Sequence, residues 1–470
     1  LYYTTRDVLT TQSYTRYPFQ LSAGENMDIR LGASAPKFSD LTLDGILVRG
    51  TNAKMKFSGW EIAGVSGDSK RAVADKMNSS YTFTQKAYGV RSSIDFWGVA
   101  KVGINALRVT DDQNSLSTYE AVKPQDNILA SLDSAISWDE RRTTLSGEYA
   151  ASLYYRDTTA SEVDVAGIPG YIKRLLPIRL GMNYDSAYQL KLDSLLGPTR
   201  WLVRYRNIGP GFVSLGNVSL TNDLAELELR NSFQVRNFSF QGFYKGSNDN
   251  LAGIKETTTR QYQYGLNFAF PLSNFAYAAL GLNSSAAKNN ATGTAEVRDY
   301  VSDSFNLGLT SIRFNLGAMP SSLSVNYALV SYRDRNPLTT LPEYQNHTYS
   351  LDTAVNINSQ LILGIGLGLS RRIDQGAFAG TTDFQNWRGR LDWRVREDRS
   401  AYAETLLISG NNSRATIATQ KYSVRAGILQ KLANQGTISL DLEHIRNRDG
   451  LAAANDFNES SASLKYRQEF

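Results

Sequence analysis

The last eleven residues of the chain, 460–470, read SSASLKYRQEF and alternate strictly between two kinds of side chain. Successive side chains of an extended strand point to opposite sides, so every second residue shares a face. One face carries, in order, Ser460, Ala462, Leu464, Tyr466, Gln468 and Phe470. The other face carries three adjacent ionisable side chains, Lys465, Arg467 and Glu469. The stretch therefore predicts a β-strand with one apolar and one charged face.

The same two-residue period recurs along most of the chain. It is clear in residues 94–106, 145–155, 227–235, 262–270 and 387–395. In the last of these, Trp387, Leu391 and Trp393 alternate with Arg388 and Arg390. A period of two indicates strands, whereas an amphipathic helix would repeat every 3.6 residues.

The connections between these strands alternate in length. Short connections are predicted at 195–199, 236–237, 271–274, 318–321, 358–360, 397–400 and 432–436. Longer loops are predicted between them, at 207–223, 247–259, 285–298, 333–346, 374–382, 409–418 and 447–457. Short turns on one rim and long loops on the other are typical of an up-and-down transmembrane barrel. A soluble β-sandwich has no reason to keep this rhythm.

These patterns predict an all-β fold. We expect a single large up-and-down antiparallel transmembrane β-barrel over residues 1–470, with short periplasmic turns and longer extracellular loops. Counting hairpins gives roughly 24 strands, within a range of about 22 to 26. No separate plug or periplasmic domain is expected. No apolar stretch approaches the roughly 18 residues of a membrane-spanning helix.

The C-terminal strand, which ends on Phe470, resembles the last strand of Gram-negative bacterial outer-membrane β-barrels of the porin-like class. The resemblance implies that Phe470 acts as an assembly signal that the barrel-assembly machinery reads. It also implies an integral protein of the bacterial outer membrane, in contact with lipid and lipopolysaccharide.

Composition excludes several kinds of chemistry. The chain has no Cys, so disulfides, thiolate metal sites and Cys nucleophiles are ruled out. Its 50 Lys and Arg nearly balance its 45 Asp and Glu, which gives no indication of a nucleic-acid partner. The 26 Tyr and 6 Trp suit a membrane–water interface, because each side chain has an apolar body and a polar tip.

The polar face of the strands must line the lumen if the apolar face meets lipid. The candidate lumen-lining residues are Arg200, Arg204, Glu226, Glu228, Arg230, Arg388, Arg390, Arg394, Lys421, Arg425, Asp441, Glu443, Lys465 and Arg467. A dry core could not hold so many charges without pairing each one. The interior is therefore expected to be wet or filled by a polar partner. The arginines of 388–394 would either favour anionic solutes or form a salt-bridge lattice with Asp392 and Glu404.

Three glycine-containing stretches are candidates for a constriction or for docking a partner. The first is 157–177, with Tyr171, and the second is 207–217, with Gly209, Pro210, Gly211 and Phe212. Both also read as ordinary extracellular loops with Gly and Pro turns. The third is the run Gly364, Gly366 and Gly368, which either receives a loop or partner chain or eases the curvature of the barrel.

Catalytic patterns are missing from the sequence. The two histidines are His347, in a predicted surface loop, and His444, on the outward side of a strand end. Neither lies in a recognisable triad, metalloprotease or phosphate-binding motif. We therefore expect no enzymatic activity, no cofactor and no metal site.

The leading functional hypothesis is an outer-membrane pore for hydrophilic solutes or polypeptide, possibly the barrel component of a larger complex. The alternative is a structural sheath that encloses a partner, such as a lipoprotein or an electron-carrying cytochrome. A third hypothesis is a surface adhesin or receptor that uses its long loops. A plug, a lipoprotein or a periplasmic protein remains a possible partner.

Overall fold

A computed structural model describes residues 19–24, 26–75, 80–116, 122–163, 178–291, 297–336, 343–375, 379–413, 415–432, 436–448 and 456–468. The chain divides into two compact units. Unit 1 comprises Leu1–Leu229 with Gly246–Thr258, and unit 2 comprises Arg230–Lys245 with Thr259–Phe470.

Regular structure in the described residues is almost entirely β. One 3₁₀ turn, Gln113–Ser115, is the exception. The strands are β1 (Phe19–Ala23), β2 (Met27–Ser34), β3 (Val48–Phe57), β4 (Trp60–Lys70), β5 (Val73–Asp75), β6 (Ser80–Thr82), β7 (Thr84–Phe96), β8 (Ala100–Asp112), β9 (Asp126–Trp138), β10 (Thr143–Tyr155), β11 (Met182–Leu196), β12 (Thr199–Ile208), β13 (Leu224–Val235), β14 (Phe238–Asn248), β15 (Thr259–Ser273), β16 (Ala276–Asn289), β17 (Asp299–Leu316), β18 (Met319–Asp334), β19 (Tyr344–Asn356), β20 (Leu361–Asp374), β21 (Gly380–Arg396), β22 (Arg399–Asn412), β23 (Ala415–Lys431), β24 (Gly436–Arg448) and β25 (Phe457–Gln468).

Unit 1 holds an antiparallel meander. The strands β1 to β4 and β7 to β12 pair in chain order, each with the next. The short strands β5 and β6 pair only with each other and form a hairpin within the β4–β7 connection. In-order antiparallel pairing needs only short connections, which the sequence supplies at 97–99 and 197–198.

Unit 2 repeats this arrangement over longer strands. The strands β15 to β25 pair antiparallel, each with the next along the chain. The longest, β17, has 18 residues, and a register shift interrupts its pairing with β18 between Leu309 and Ile312. Such a bulge bends a strand without ending it.

The predicted all-β, up-and-down, antiparallel architecture is confirmed. The described short connections lie at or next to the positions that the sequence predicts, for example at 236–237 between β13 and β14, whereas most of the one predicted at 432–436 lies outside the described residues. One predicted loop is wrong. Residues 409–418 do not form a long loop, because β22 continues to Asn412 and β23 begins at Ala415. The polar run Gly410, Asn411, Asn412, Ser413 favours a turn, but its first three residues continue strand β22.

The described residues include no helix that is long and apolar enough to cross a lipid bilayer.

Candidate functional site

The strands of both units present one face of large apolar side chains. In β21, Trp387 and Trp393 are 50% and 49% exposed, with Leu391 between them. In unit 1, Ile104, Leu132 and Tyr149 lie on the equivalent exposed face of β8, β9 and β10. We call this the apolar face and the opposite side the polar face. The predicted alternation is confirmed in these strands.

The charged candidates of unit 1 form ion pairs on the polar face, some with one another and some with neighbouring strand residues. Arg200 forms a two-pronged ion pair with Asp193, at 2.7 and 2.8 Å. Arg204 contacts Glu228 closely and Glu226 at 3.5 Å, and Arg206 lies 3.1 Å from Glu226. The two glutamates are buried and their arginine partners half-buried, so this cluster satisfies its own charge.

The charged candidates of unit 2 form a looser lattice. Arg390 bridges Asp392 at 2.8 Å and Glu404 at 3.2 Å, and its guanidinium lies 4.8 Å from the centre of the Tyr402 ring. The lattice predicted around Asp392 and Glu404 therefore exists at Arg390. The other contacts are Arg388 to Asp352 at 3.1 Å, Arg425 to Glu443 at 2.6 Å and the Tyr402 hydroxyl to Asp441 at 2.8 Å.

Some charged candidates stand outside that lattice. Arg394, Lys421 and Lys465 have no ion-pair partner among the residues that the structure describes. Arg230, at the start of the unit 2 part of β13, does take part in an interaction. The side chain of Arg467 lies outside the described part of the chain, as do Tyr171 and Phe470.

The side chains of neighbouring strands account for two of the glycines in the β20 run. A Cβ added to Gly366 would lie 2.6 Å from Asp352 Oδ1, and one added to Gly368 would collide with the Asn386 amide. Both side chains belong to the strands on either side of β20. At Gly364 the nearest atom would be 3.8 Å away, which leaves room for a methyl group. Two of the three glycines thus make room for cross-strand polar side chains.

The candidate Gly209-Pro210-Gly211-Phe212 begins a segment that covers part of the polar face of unit 1. The Asp185 carboxylate accepts a hydrogen bond from the Gly211 amide at 2.7 Å. The same carboxylate occupies the place where a side chain at position 209 would lie, so a residue without a side chain is needed there. Phe212 is then 1% exposed, in a cluster with Leu129 and Ile208. We call residues 209–223 cover segment B.

A second covering segment, residues 35–47, is absent from the predictions, and we call it cover segment A. It connects β2 to β3, and Leu41 and Leu43 are fully buried in the same cluster as Phe212. Its Phe38 ring lies so close to Gly89 of β7 that an added Cβ would be 2.7 Å away. The only sequence signal for it was a group of apolar residues without a regular period between Pro36 and Gly45.

Hydrogen bonds join the two cover segments to each other. The Ser214 hydroxyl donates to the Thr42 carbonyl at 2.6 Å, and the Asn217 amide donates to the Asp40 carbonyl at 2.7 Å. The Asp44 backbone N–H donates to Gly216 at 3.0 Å. These bonds satisfy backbone groups that the apolar cluster removes from water.

Other hydrogen bonds fix segment B to the strands. The Ser152 hydroxyl of β10 donates to the Val213 carbonyl at 2.6 Å. The Leu215 N–H donates to the Asn127 side chain of β9 at 2.9 Å. Segment B therefore lies on the polar face as a packed part of unit 1.

In each cover segment, a nearby lysine lowers the pKa of an aspartate. Burial raises the pKa of Asp40, but the hydrogen bond and charge of Lys37 outweigh it, so this pKa lies below its ordinary value. Burial likewise raises the pKa of Asp223, at the end of segment B. The Lys255 ammonium and the Leu251 N–H more than reverse that effect, and the pKa is again lowered.

The two histidines hold no catalytic arrangement within the described residues. His347 lies inside β19 and not in a surface loop as predicted, because the strand pairing continues past it to Tyr344. Its ring nitrogen is 3.0 Å from the Tyr327 hydroxyl. His444 faces outward in β24, 2.9 Å from Ser460 Oγ. No group of three metal-ligating side chains occurs in the part of the chain that was described.

Comparison with known proteins gives matches in structure alone. No protein-family model and no curated protein matches the chain. The chain is similar to OmpT, an outer membrane protein of Vibrio cholerae, at 11% identity and a TM-score of 0.31, covering 68% of this chain and 87% of that one. It is similar to a BenF-like porin from Pseudomonas fluorescens at 12% identity and 0.37, covering 78% and 98%. It is also similar to the copper transporter OprC at 8% identity and 0.47, covering 94% and 76%.

These descriptions name an outer membrane protein, a porin and a transporter. The likeness concerns the class of fold. The two-faced antiparallel strands of this chain are consistent with a large β-barrel. The absence of enzymatic activity stays a prediction.

Proposed function

We propose that the chain forms a pore for hydrophilic solutes in the bacterial outer membrane. The observation that carries this proposal is the pair of faces on the same strands. Trp387, Leu391 and Trp393 are exposed on one side of β21, while Arg388 and Arg390 lie on the other. Lipid can meet the first side, but only water or a polar partner can meet the second.

Closure of the strands into one barrel follows from the chemistry of the membrane. A strand edge at the depth of the acyl chains would leave N–H and C=O groups without partners, at a cost of several kcal/mol each. A transmembrane strand needs about 9–11 residues, and strands such as β17, with 18, exceed that length. We therefore propose a single barrel over the whole chain, of about 24 strands, with the short turns on the periplasmic side.

The two cover segments narrow this pore. The predicted candidate constriction, residues 207–217, overlaps the first part of segment B, and the burial of that part together with segment A supports the role. Because Phe212, Leu41 and Leu43 are buried against strand residues, the segments behave as a fixed obstruction and not as a mobile lid.

Selectivity by charge should be weak. Five of the candidate arginines, Arg200, Arg204, Arg388, Arg390 and Arg425, each have a carboxylate beside them at distances between 2.6 and 3.5 Å, which neutralises their charge. Among the candidate lumen residues, Arg394, Lys421 and Lys465 have no carboxylate beside them within the described part of the chain, and they add positive charge to the lumen. The mechanism we propose is passage by size and lumen polarity, without chemistry on the solute.

The proposed location in the outer membrane implies which partners the protein contacts. We propose contact of the apolar face with outer-membrane lipid and lipopolysaccharide, and recognition of the C-terminal strand by the barrel-assembly machinery. A lipoprotein or periplasmic partner remains a prediction. The sheath alternative needs a polar face that is free to enclose another protein. Cover segments A and B occupy part of that face in unit 1, which favours the pore.

The test is conductance of the purified, folded protein in planar bilayers. We expect stepwise, ohmic channels with little preference between K⁺ and Cl⁻. Protein unfolded by heat before reconstitution is the control. Folded protein that inserts but carries no current would reject the pore, and stoichiometric co-purification of a second protein filling the lumen would favour the sheath.

A further inference from the structure

Part of the polar face of unit 2 carries amides where its neighbours carry charges. Gln241 of β14, Asn267 of β15, Asn306 of β17 and Asn326 of β18 line one cavity of about 410 Å³, with Ser239 beside them. We call these five residues the amide wall. Among the described residues that line this cavity, none is charged. The volume lies within the range of about 300–1,000 Å³ that is typical of small-molecule sites.

Small residues form the floor of this cavity. Strand pairing sets Gly281 between Asn267 and Asn306, and sets Gly308 opposite Asn326. An added Cβ on Gly281 would lie 2.8 Å from Asn267 Oδ1, and one on Gly308 would lie 2.6 Å from Asn326 Oδ1. Because glycine has no side chain, the Asn267 and Asn326 side-chain amides can lie close to the sheet, and the space between them remains open.

The hydrogen-bonding capacity of the amide wall is mostly unused by the protein. Asn326 donates to Ser350 Oγ at 3.3 Å. Within the described part of the chain, the side chains of Gln241, Asn267 and Asn306 make no hydrogen bond to another protein group. Each amide offers two donors and one acceptor oxygen. In a pore these groups bind water, which a solute with hydroxyl groups can replace.

The contrast with the charged part of the same unit indicates what kind of solute fits. A cavity of about 450 Å³ there is lined by Arg390, Asp392, Arg394 and Asp441. An ion is attracted to such a surface, whereas a neutral solute must compete with strongly hydrated charges. The amide wall imposes no such competition, because amides and hydroxyls exchange water for one another at little cost.

We propose that the amide wall binds neutral polyhydroxylated solutes, of the kind that carbohydrates represent. The proposal rests on the proposed pore for access, and it adds the class of solute that the pore would favour. Hydroxyl groups both donate and accept, so each can pair with an amide in either direction. With three or four such bonds in competition with water, the affinity is weak, and we expect a Kd of about 1–10 mM.

The experiment uses the neutral hexasaccharide maltohexaose as the probe. With the full chain in a planar bilayer, we expect brief interruptions of the current that saturate with maltohexaose concentration. The test variant combines Asn267→Ala, Asn306→Ala and Asn326→Ala. We expect it to keep the open-channel conductance and to weaken the block about tenfold or more.

A matched variant controls for the loss of three amides elsewhere on the polar face of unit 2. It combines Asn346→Ala, Asn356→Ala and Asn386→Ala, and it should be blocked like the parent protein. Poly(ethylene glycol) of the same length controls for obstruction by size, because its ether oxygens accept hydrogen bonds but donate none. Equal block by this polymer, or equal block of the test variant, would overturn the proposal.

Calorimetric titration of the detergent-folded protein with maltohexaose separates this proposal from the pore itself. Binding that disappears in the test variant supports the amide wall even if no current is seen, and then the pore alone fails. Normal conductance with neither block nor calorimetric binding leaves the pore standing and rejects the amide wall.

Discussion

The polar faces of the two units differ in what lies on them. In unit 1, cover segments A and B bury Phe212, Leu41 and Leu43 against the strands. In unit 2, the same side of the strands carries ion pairs and amides that remain partly exposed, as at Arg388 and Asp352. The same alternating strand pattern thus occurs with a polar face that is covered and packed, in unit 1, and with a polar face that remains partly exposed, in unit 2.

The difference arises from a few strand positions. On the polar face of β8 and β9, unit 1 has Leu107, Val109 and Leu129, all buried. At such positions β21 has Arg388 and Arg390. A strand that is apolar on both faces needs a cover on each, and in unit 1 the chain supplies one of them. The comparison therefore predicts where substitutions on the polar face cost stability.

The largest effect is expected from Phe212→Ala. Removing a fully buried phenylalanine should cost about 3–5 kcal/mol in the free energy of unfolding, since it leaves a cavity under segment B. Urea unfolding followed by tryptophan fluorescence measures it. The matched control is Phe384→Ala, a 45% exposed phenylalanine on the polar face of unit 2, which should cost far less. Equal losses would contradict the distinction between a covered and an open face.

Phe212→Ala also tests whether segment B obstructs the pore. Loosening segment B should raise the single-channel conductance or its noise, because the segment is the proposed obstruction. Phe384→Ala should leave both unchanged. A conductance unaffected by Phe212→Ala in a protein shown to be destabilised would mean that segment B lies outside the conducting path.

A smaller effect is expected from Gly209→Ala. The new methyl group would collide with the Asp185 carboxylate, and such overpacking costs about 1–3 kcal/mol. Gly364→Ala is the control, because its nearest neighbour would be 3.8 Å away. Thermal unfolding of the two variants side by side measures the difference. A neutral Gly209→Ala would show that the start of segment B can shift freely.

The smallest effect is expected from Asp223→Asn, which removes the buried charge that holds segment B to Lys255. We expect a loss of about 1–2 kcal/mol near neutral pH, reduced by the exposure of Lys255. The folded-state pKa of Asp223 is lowered, so its contribution is complete above about pH 4 and is lost as the pH falls through the lowered pKa.

The midpoints of urea unfolding at pH 7 and pH 3 test the direction of this pH dependence. The difference in urea midpoint between the parent protein and Asp223→Asn should be smaller at pH 3 than at pH 7. Asp383→Asn serves as the control, since its ion pair with Arg371 is exposed on the surface of unit 2. A gap that widens on acidification would contradict the assignment.

The fold could be predicted because its signal is local. In β13, Leu227 and Leu229 are exposed on one face while Glu226 and Glu228 are buried on the other, an alternation that follows directly from strand geometry. Turn positions such as 236–237 were equally visible. The loop predicted at 409–418 failed because turn-favouring residues such as Asn411 also occupy strand ends, and cross-strand pairing decides between the two.

The candidate site could be predicted only in part. Phe212 was identified through its flanking glycines, but its burial depends on Leu107 and Leu129, which lie far away in sequence. Segment A was missed because the alternation of Leu41 and Leu43 spans too few residues to predict a strand, and Phe38 lies three residues before Leu41, out of step with it. The amide wall was missed for the opposite reason, since asparagine on a polar face looks ordinary until pairing gathers Asn267, Asn306 and Asn326.

The central claim is that lipid meets the apolar face of these strands and water meets the uncovered polar face. The chain has no Cys, so single cysteines can be introduced in β21 without background. In protein reconstituted into liposomes, a charged, water-soluble methanethiosulfonate reagent should modify the Arg388→Cys and Arg390→Cys variants quickly. It should fail to modify Trp387→Cys and Leu391→Cys, and also Leu129→Cys beneath the cover segments. Equal modification of odd and even positions in β21 would contradict the account.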